Sequence, residues 1–201
     1  GGGSGHEPMH TGYVGKGMLD GAATGEIFTS PSADEMSQMI ELCDGGEGVL
    51  LVIKNYEGDI MNFEVATDLT PEIETARIIV DDDVAVSDAE DRTGRRGVAG
   101  TVLVHKITGA KAAQGATLEE VAAVGERTIE NMASMGVALT SCITPGKGEP
   151  TVDLDDPEIT FSVECREADA YIFLERRDGR QVTGQEVAEL RRVAVTDEVV
   201  D

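Results

Sequence analysis

Two hydrophobic periodicities alternate along the chain, and they predict strands and helices in turn. The clearest strand is GVLLVIK at residues 48–54, a continuous apolar run typical of a parallel-sheet strand that is buried on both faces. Residues 76–80 are predicted to form a second strand. Shorter strands are predicted at 26–29, 137–141 and 159–163.

Helices are predicted between these strands from apolar residues at helical spacing and from capping signals. Thr117 and Glu120, for example, have the spacing of a capping box. The predicted helices lie between the cap at 30–34 and the glycines at 45–46, and at 60–69, 97–113 and 118–135. Strands and helices that alternate through short connections predict an α/β fold with a largely parallel sheet flanked by helices.

The character of the sequence changes near Cys165. The segment that follows is charged, with a strand-like stretch at 171–174 and a charged helical stretch at 185–192. We therefore expect one α/β domain over residues 1–164 and a divergent C-terminal β–α tail over residues 165–201.

Composition and charge narrow the possible partners. Forty per cent of the 201 residues are apolar, enough for a core, while 16 basic against 39 acidic residues leave a net charge of −23. Such a charge repels nucleic acids and anionic lipid surfaces. No apolar stretch approaches the ~20 residues of a membrane span. The acidic surface is typical either of a protein that works at high salt or of an ordinary acidic cytosolic protein.

The three cysteines are Cys43, Cys142 and Cys165, and they are widely spaced with no CxxC pair. This spacing indicates neither a disulfide framework nor a zinc site, so we expect a cytoplasmic protein.

The first eight residues, GGGSGHEP, combine four glycines with Ser4 and His6. Glycines allow positive φ and close backbone approach, and we expect them to leave amide N–H groups free to bind an oxygen. The segment lacks the Gly-Lys-Ser/Thr ending of a P-loop. The residues themselves leave two interpretations open, a flexible terminus and a ligand-binding loop.

Lys54 and Asp59 follow the clearest strand directly. Ligands of α/β sheets bind at the carboxyl ends of the strands, so this pair is placed where a crevice is expected. The lysine could orient an oxygen while the aspartate accepts a proton from an attacking hydroxyl, as phosphoryl transfer requires. The alternative is a structural salt bridge at the strand end.

Three further groups of residues carry weaker signals. Adjacent acids at 81–83 are a poor metal site unless a loop folds them back, and we predict no metal. Arg95 and Arg96 before a helix could bind an anion, although pairing with nearby acids is favoured. His105 lies among helical apolar residues and is predicted to be partly buried and hydrogen-bonded rather than catalytic.

Several motifs in order resemble one family, the dihydroxyacetone-binding K subunit of dihydroxyacetone (glycerone) kinase. The resemblance extends from Gly1 to about Val163. The motifs are GGGSGHEPMHTGYVG at 1–15, GMLDGA at 17–22, GEIFTSP at 25–31, GVLLVIKNYEGDIMNF at 48–63, DDVA at 82–85 and GRRGVAGTVLVHK at 94–106.

The resemblance implies the N-terminal domain fold of that subunit and phosphorylation of dihydroxyacetone to its phosphate. It implies that the substrate is held by Gly3, Ser4, Gly5, His6, Lys54 and Asp59. In that scheme His6 and Asp59 are catalytic acid–base groups and Lys54 is a positioning group. No cofactor is implied for this chain, since a partner L subunit carries ADP or ATP with Mg²⁺. A phosphohistidine M protein recharges that subunit in phosphotransferase-coupled systems, and the K subunit commonly forms a homodimer.

The sequence departs from the family in two places. About fifty residues that precede the glycine loop in the family are missing, and Arg166 stands where the family has a histidine that traps the substrate carbonyl covalently. A guanidinium cannot attack a carbonyl, and the adjacent Cys165 is not activated. We therefore expect either a product truncated at both ends or a divergent paralogue that binds ligand as a non-catalytic regulator.

Overall fold

The computed structural model describes residues 1–84, 94–135, 143, 148 and 162–165. Strands and helices alternate over most of this range, which confirms the predicted α/β character. The strands are β1 (Gly2–Ser4), β2 (Thr24–Ile27), β3 (Val49–Lys54), β4 (Thr75–Val80), β5 (Met132–Met135) and β6 (Ser162–Cys165). The helices are α1 (Ala33–Cys43), α2 (Glu57–Leu69), α3 (Thr101–Ala112) and α4 (Leu118–Glu130), and a 3-10 turn spans Thr11–Tyr13.

Pairing between strands is parallel in the N-terminal part of the fold. β1 pairs with β2, and β3 pairs with β4 in a register that sets Val49 opposite Thr75 and Lys54 opposite Val80. β5 and β6 pair antiparallel. Because β3 and β4 end at the same level, the polar residues that follow them lie at one edge of the sheet.

The core is packed on both faces of β3. Leu51 and Ile53 point to one face, where they meet Met36, Ile40, Phe63 and Ala66 of helices α1 and α2. Val52 points to the other face, where the cluster includes Ile78 and Val80 of β4 and Val104 of α3. Each such aliphatic side chain contributes about 1.5–3 kcal/mol when fully buried, and the alternation explains why the strand reads as a continuous apolar run.

Capping residues fix where two helices begin. The Thr117 hydroxyl accepts a hydrogen bond from the N–H of Glu120, whose carboxylate in turn accepts one from the N–H of Thr117, so the predicted capping box is confirmed. Ser32 and Glu35 form the same reciprocal arrangement at α1. Each box satisfies N–H groups that the first helical turn leaves unpaired.

The prediction of one helix over 118–135 is wrong at its C-terminal end. Helix α4 ends at Glu130, and the chain continues as β5. The Ser134 N–H donates to the carbonyl of Asp82, and the Ser134 carbonyl accepts from the N–H of Val84, so backbone pairing beyond β4 draws this segment into an extended conformation.

Other boundaries differ by a few residues. Helix α2 begins at Glu57 rather than 60, and α3 begins at Thr101 rather than 97. The strand predicted at 26–29 is β2, which ends at Ile27 because Phe28 adopts a left-handed φ of 54°. The strand predicted at 137–141, most of that at 159–163 and the tail beyond 165 lie outside the described residues. In the described ranges, no helix combines the length and apolar character that crossing a bilayer requires.

Candidate functional site

Lys54 and Asp59 are both buried at the carboxyl end of β3. Lys54 is the last residue of the strand, and Asp59 lies in the first turn of α2, with exposed fractions of 4% and 2%. The early start of α2 places the aspartate in the helical turn nearest the strand end. Charged side chains are rarely buried unless an opposite charge or hydrogen bonds compensate for the lost hydration. Lys54 and Asp59 are therefore not ordinary surface residues.

Tyr56 connects two cations at this end of the sheet. Its ring lies 4.8 Å from the Lys54 Nζ and 5.8 Å from the Arg96 guanidinium carbon, measured to the ring centroid. Both distances fall within the range of cation–π attraction. Tyr56 was not predicted as a site residue, and Arg96 was considered only as an anion-binding residue before a helix. The aromatic at position 56 was visible in the sequence, but its contact with a segment forty residues away was not.

Burial perturbs the ammonium group of Lys54. Desolvation lowers the pKa of Lys54, and the negative charge of Asp59 partly offsets this effect by raising it. The aspartate is therefore the electrostatic partner of the lysine. An ammonium held in such surroundings is poorly hydrated and well suited to attract an oxygen atom of a small ligand.

The glycine loop begins against the same lysine. A Cβ added to Gly2 would lie 3.1 Å from the Lys54 Nζ and 3.1 Å from the Nε2 of His10. Gly2 is therefore packed against the lysine head group. The glycine loop and the Lys54–Asp59 pair share one end of the molecule, as the assignment of a common site requires.

Gly3, Ser4 and Gly5 form the central part of the loop. The Gly3 Cα–H side faces backbone atoms of Thr29, with only 2.5 Å between its ideal Cβ position and the Thr29 nitrogen. The Ser4 hydroxyl donates to the Gly25 carbonyl at 2.7 Å. Gly5 has a φ of 96°, which explains the need for glycine there. Its N–H donates to the Glu7 carboxylate at 2.9 Å, so for Gly5 the expectation of a free amide is wrong.

His6 occupies the outer end of the glycine loop. It is exposed, unlike Lys54 and Asp59, and its ring packs edge-on against Phe28 at a centroid distance of 5.0 Å. The histidine is thus exposed to solvent, whereas Lys54 and Asp59 are buried.

The two remaining histidines contact each other. His10 Nδ1 and His105 Nε2 are 2.9 Å apart, and both rings are buried. The prediction that His105 is buried and hydrogen-bonded is confirmed. His10 was present in the motif that carried the resemblance, but a sequence gives no sign that it meets a helix 95 residues later.

The acidic run at 81–83 provides a carboxylate that accepts hydrogen bonds from the backbone just before helix α3. The Asp82 carboxylate accepts hydrogen bonds from the N–H groups of Val98 and Gly100 and from the Ser134 hydroxyl. These donors occupy the carboxylate oxygens that a metal would need. Among the described residues there is no cluster of three or more His, Cys, Asp or Glu side chains arranged to hold a metal ion.

The Arg95–Arg96 segment lies before α3 and does not form its N-terminus. The Asn55 amide donates to the Arg95 carbonyl at 2.6 Å, and the Arg96 guanidinium donates to the Gly94 carbonyl at 3.1 Å. The segment is therefore tied to the end of β3, beside Lys54 and Tyr56.

A cavity of about 560 Å³ runs along β3. Its lining is mostly apolar and includes Gly1, Met36, Leu50, Phe63 and His105, whereas Lys54, Asp59 and His6 do not line it. The three polar side chains thus do not line this cavity, and we assign the candidate site to the strand end.

Comparisons with known proteins identify the family of this chain. The profile of the Dak1 domain matches residues 1–164. The dihydroxyacetone-binding subunit of a phosphotransferase-dependent dihydroxyacetone kinase from Listeria innocua is 54% identical over 165 residues, covering 81% of this chain and 50% of the relative. The corresponding subunit of the PEP-dependent kinase of Escherichia coli K12 is 51% identical over 165 residues, covering 81% of this chain and 46% of the relative. The chain thus spans about half the length of the curated relatives it matches.

Solved structures give the same result. The dihydroxyacetone kinase of C. freundii superposes with a TM-score of 0.66 at 38% identity, covering 81% of this chain and 29% of that one. A dihydroxyacetone kinase operon co-activator superposes with a TM-score of 0.75 at 33% identity, covering 96% of this chain and 58% of that one. The resemblance seen in the sequence motifs is confirmed, and the chain belongs to the Dak1 domain family.

Proposed function

We propose that this chain supplies the dihydroxyacetone-binding site of a dihydroxyacetone kinase. The observation that carries the proposal is the packing of the glycine loop against Lys54, with Asp59 as the electrostatic partner of that lysine. Relatives that are 54% and 51% identical carry the name of the dihydroxyacetone-binding subunit. A small polar ligand suits a site that combines a glycine-rich wall with one ammonium and one carboxylate.

The proposed roles follow from the chemistry of each group. Gly3, Ser4 and Gly5 form the wall of the site, and the Lys54 ammonium orients an oxygen of the ketose. Asp59 accepts the proton of the attacking hydroxyl, whose oxygen then bonds to phosphorus as the bond from phosphorus to the donor breaks. His6, at the solvent rim, exchanges protons with the second hydroxyl.

The partners belong to the same proposal. A nucleotide-carrying L subunit with ADP or ATP and Mg²⁺ would present the phosphoryl group, since this chain is proposed to hold no cofactor. A phosphohistidine M protein would recharge that subunit in a phosphotransferase-coupled system. We further propose a cytoplasmic homodimer with an acidic coat suited to high salt, a domain at 1–164 and a separate tail at 165–201.

A second candidate is a regulator that binds dihydroxyacetone without phosphorylating it. Two observations favour it. The co-activator structure covers 96% of this chain, and the sequence resemblance aligns Arg166 with the family's substrate-trapping histidine. A regulator would bind the ketose reversibly and would not need acid–base groups at its hydroxyls.

One pair of measurements separates the two candidates. Dihydroxyacetone is titrated into the chain by calorimetry, and the chain is then mixed with an L subunit, its phosphoryl donor and dihydroxyacetone to measure dihydroxyacetone phosphate. A kinase subunit gives both binding and product, whereas a regulator gives binding alone. Absence of binding would contradict both candidates.

Variants locate the site within the same experiment. Asp59→Asn and His6→Ala are expected to weaken binding at least tenfold, because each removes a group that contacts a hydroxyl. Asp68→Asn is the matched control, since Asp68 lies on the exposed side of the same helix. Unchanged affinity in both site variants would refute the assignment of these residues.

A further inference from the structure

The His10–His105 pair has no part in the proposed reaction, yet it is among the most buried polar features of the described residues. The exposed fractions are 4% for His10 and 1% for His105. The rings meet edge to face at a centroid distance of 5.2 Å, with the 2.9 Å contact joining His10 Nδ1 to His105 Nε2. The ring of Tyr13 also lies near His105, at a centroid distance of 6.3 Å.

Both imidazoles are uncharged at neutral pH. Burial lowers the pKa of His10 to about 2 and that of His105 to about 3. A neutral imidazole has one N–H and one lone pair, so one ring donates and the other accepts in the contact between them. The contact therefore allows two tautomeric arrangements.

The surroundings of His10 select between these arrangements. The other nitrogen of each ring, His10 Nε2 and His105 Nδ1, has no hydrogen-bond partner among the described residues. His10 Nε2 lies beside Gly2, on the side where Lys54 Nζ also packs. An ammonium can only donate, so the favourable arrangement presents a lone pair at His10 Nε2. His10 then carries its proton on Nδ1, and this N–H donates a hydrogen bond to His105 Nε2.

The charges around these groups support this orientation. His10 interacts electrostatically with Lys54 and with His6, which are cationic when protonated. Asp59 is the anion that faces Lys54. A lone pair directed at this cationic side is stabilising, whereas an N–H directed there would be repelled.

We propose that His10, held in one tautomer by His105, is a positioning residue for Lys54. Its Nε2 lone pair lies beside the same face of Gly2 as the Lys54 ammonium and attracts it electrostatically, without a direct hydrogen bond. This attraction keeps the ammonium near the first turn of α2, where Asp59 lies. The consequence for ligand binding rests on the proposed function, because it assumes that Lys54 orients an oxygen of dihydroxyacetone. The tautomer and the contact with Lys54 do not depend on any ligand.

The first test is made on the ligand-free chain by nitrogen-15 NMR. We expect His10 Nε2 to resonate as an unprotonated ring nitrogen and Nδ1 as a protonated one at pH 7. We also expect a nuclear Overhauser contact between the His10 ring proton Hε1 and the Lys54 side chain. Protonation at His10 Nε2 would overturn the proposal, whatever the outcome of ligand binding.

The second test uses two substitutions, each of which replaces only one of the two ring nitrogens of His10 with an amide group. In His10→Gln, the amide reaches the position of Nε2 and can present an oxygen toward Lys54. In His10→Asn, the shorter amide reaches only the position of Nδ1 and can donate to His105. We expect His10→Asn to weaken dihydroxyacetone affinity about tenfold and His10→Gln to stay within about threefold of the unsubstituted chain.

The controls separate positioning from folding and from the proposed function. Tyr13→Phe keeps the packing against His105 and should change neither the tautomer nor the affinity. Equal losses of affinity in His10→Asn and His10→Gln would indicate a purely structural role and would overturn the proposal. If the unsubstituted chain binds no dihydroxyacetone, the proposed function fails, and the NMR result still decides the role of His10.

Discussion

The carboxylate of Asp82 holds the backbone just before helix α3. One oxygen accepts a 2.8 Å hydrogen bond from the N–H of Val98, and the other accepts a 2.7 Å bond from the N–H of Gly100. The Ser134 hydroxyl donates to the second oxygen as well. A Cβ at Gly100 would lie 2.6 Å from that oxygen, so the contact requires a glycine. A side chain at the end of β4 thus joins α3 to β5.

Asp82→Asn should destabilise the chain by about 2–3 kcal/mol. The substitution turns one acceptor into an N–H₂ donor that faces an N–H donor in a buried site, and it removes the charge that strengthens both bonds. Urea unfolding would measure the change. Asp68→Asn, at an exposed position of α2, is the control and should stay within about 0.5 kcal/mol of the unsubstituted chain. Equal midpoints for the two variants would contradict the role of Asp82.

The stability of the chain should fall between pH 7 and pH 5. In the unfolded chain each imidazole binds a proton near pH 6.5, whereas in the folded chain burial lowers the pKa of His10 to about 2 and that of His105 to about 3. Unfolding therefore takes up protons throughout this window, and the loss is about 2 kcal/mol per imidazole by pH 5. Urea unfolding at a series of pH values measures the slope.

The matched variant for this pH dependence is His10→Gln, which removes one of the two buried imidazoles. Its free energy of unfolding should depend on pH less steeply over the same window, by about the contribution of one imidazole. A slope equal to that of the unsubstituted chain would show that other groups carry the pH dependence.

The features that sequence reasoning predicted well are those set by local pattern. The apolar run of β3 fixes a doubly buried strand, and the capping box at Thr117 fixes the start of α4. Lys54 and Asp59 were expected at the carboxyl end of a parallel strand, a general location for ligands, and the structure places both there.

The features it missed depend on contacts between distant segments. The helical pattern of 118–135 continues through Met132 and Met135, but pairing of Ser134 with Asp82 and Val84 overrides it. The His10–His105 contact joins residues 95 positions apart, and the contact of Arg96 with Tyr56 spans forty. The local pattern of apolar residues cannot predict such contacts, because each depends on how distant strands and helices pack together.

Asp59→Asn should lower the pKa of Lys54 further below its usual value. In the unsubstituted chain, burial lowers this pKa, and the Asp59 charge offsets part of the decrease. Removing that charge leaves burial unopposed, so the ammonium should lose its proton at a lower pH. NMR titration of the Lys54 side chain measures the shift, and Asp68→Asn should leave the titration unchanged. An increase in the Lys54 pKa upon Asp59→Asn would contradict the proposed electrostatic pairing.

Gly3→Ala should damage both the fold and the site. A Cβ at this position would lie 2.5 Å from the nitrogen and 2.7 Å from the oxygen of Thr29, and 2.9 Å from the carbonyl carbon of Phe28. All three are backbone atoms, so the glycine loop and the 28–29 segment must separate to admit the methyl group. We expect a loss of about 1–3 kcal/mol of stability.

The same displacement moves the loop relative to Lys54, so we expect dihydroxyacetone affinity to fall at least tenfold in Gly3→Ala. Gly45→Ala is the control, because Gly45 is exposed and a Cβ there would meet nothing within 4 Å. Calorimetric titration with dihydroxyacetone and urea unfolding, made on both variants, separate the two effects. If Gly3→Ala is destabilised but binds the ketose as tightly as Gly45→Ala, the glycine loop is a structural contact and not a wall of the ligand site.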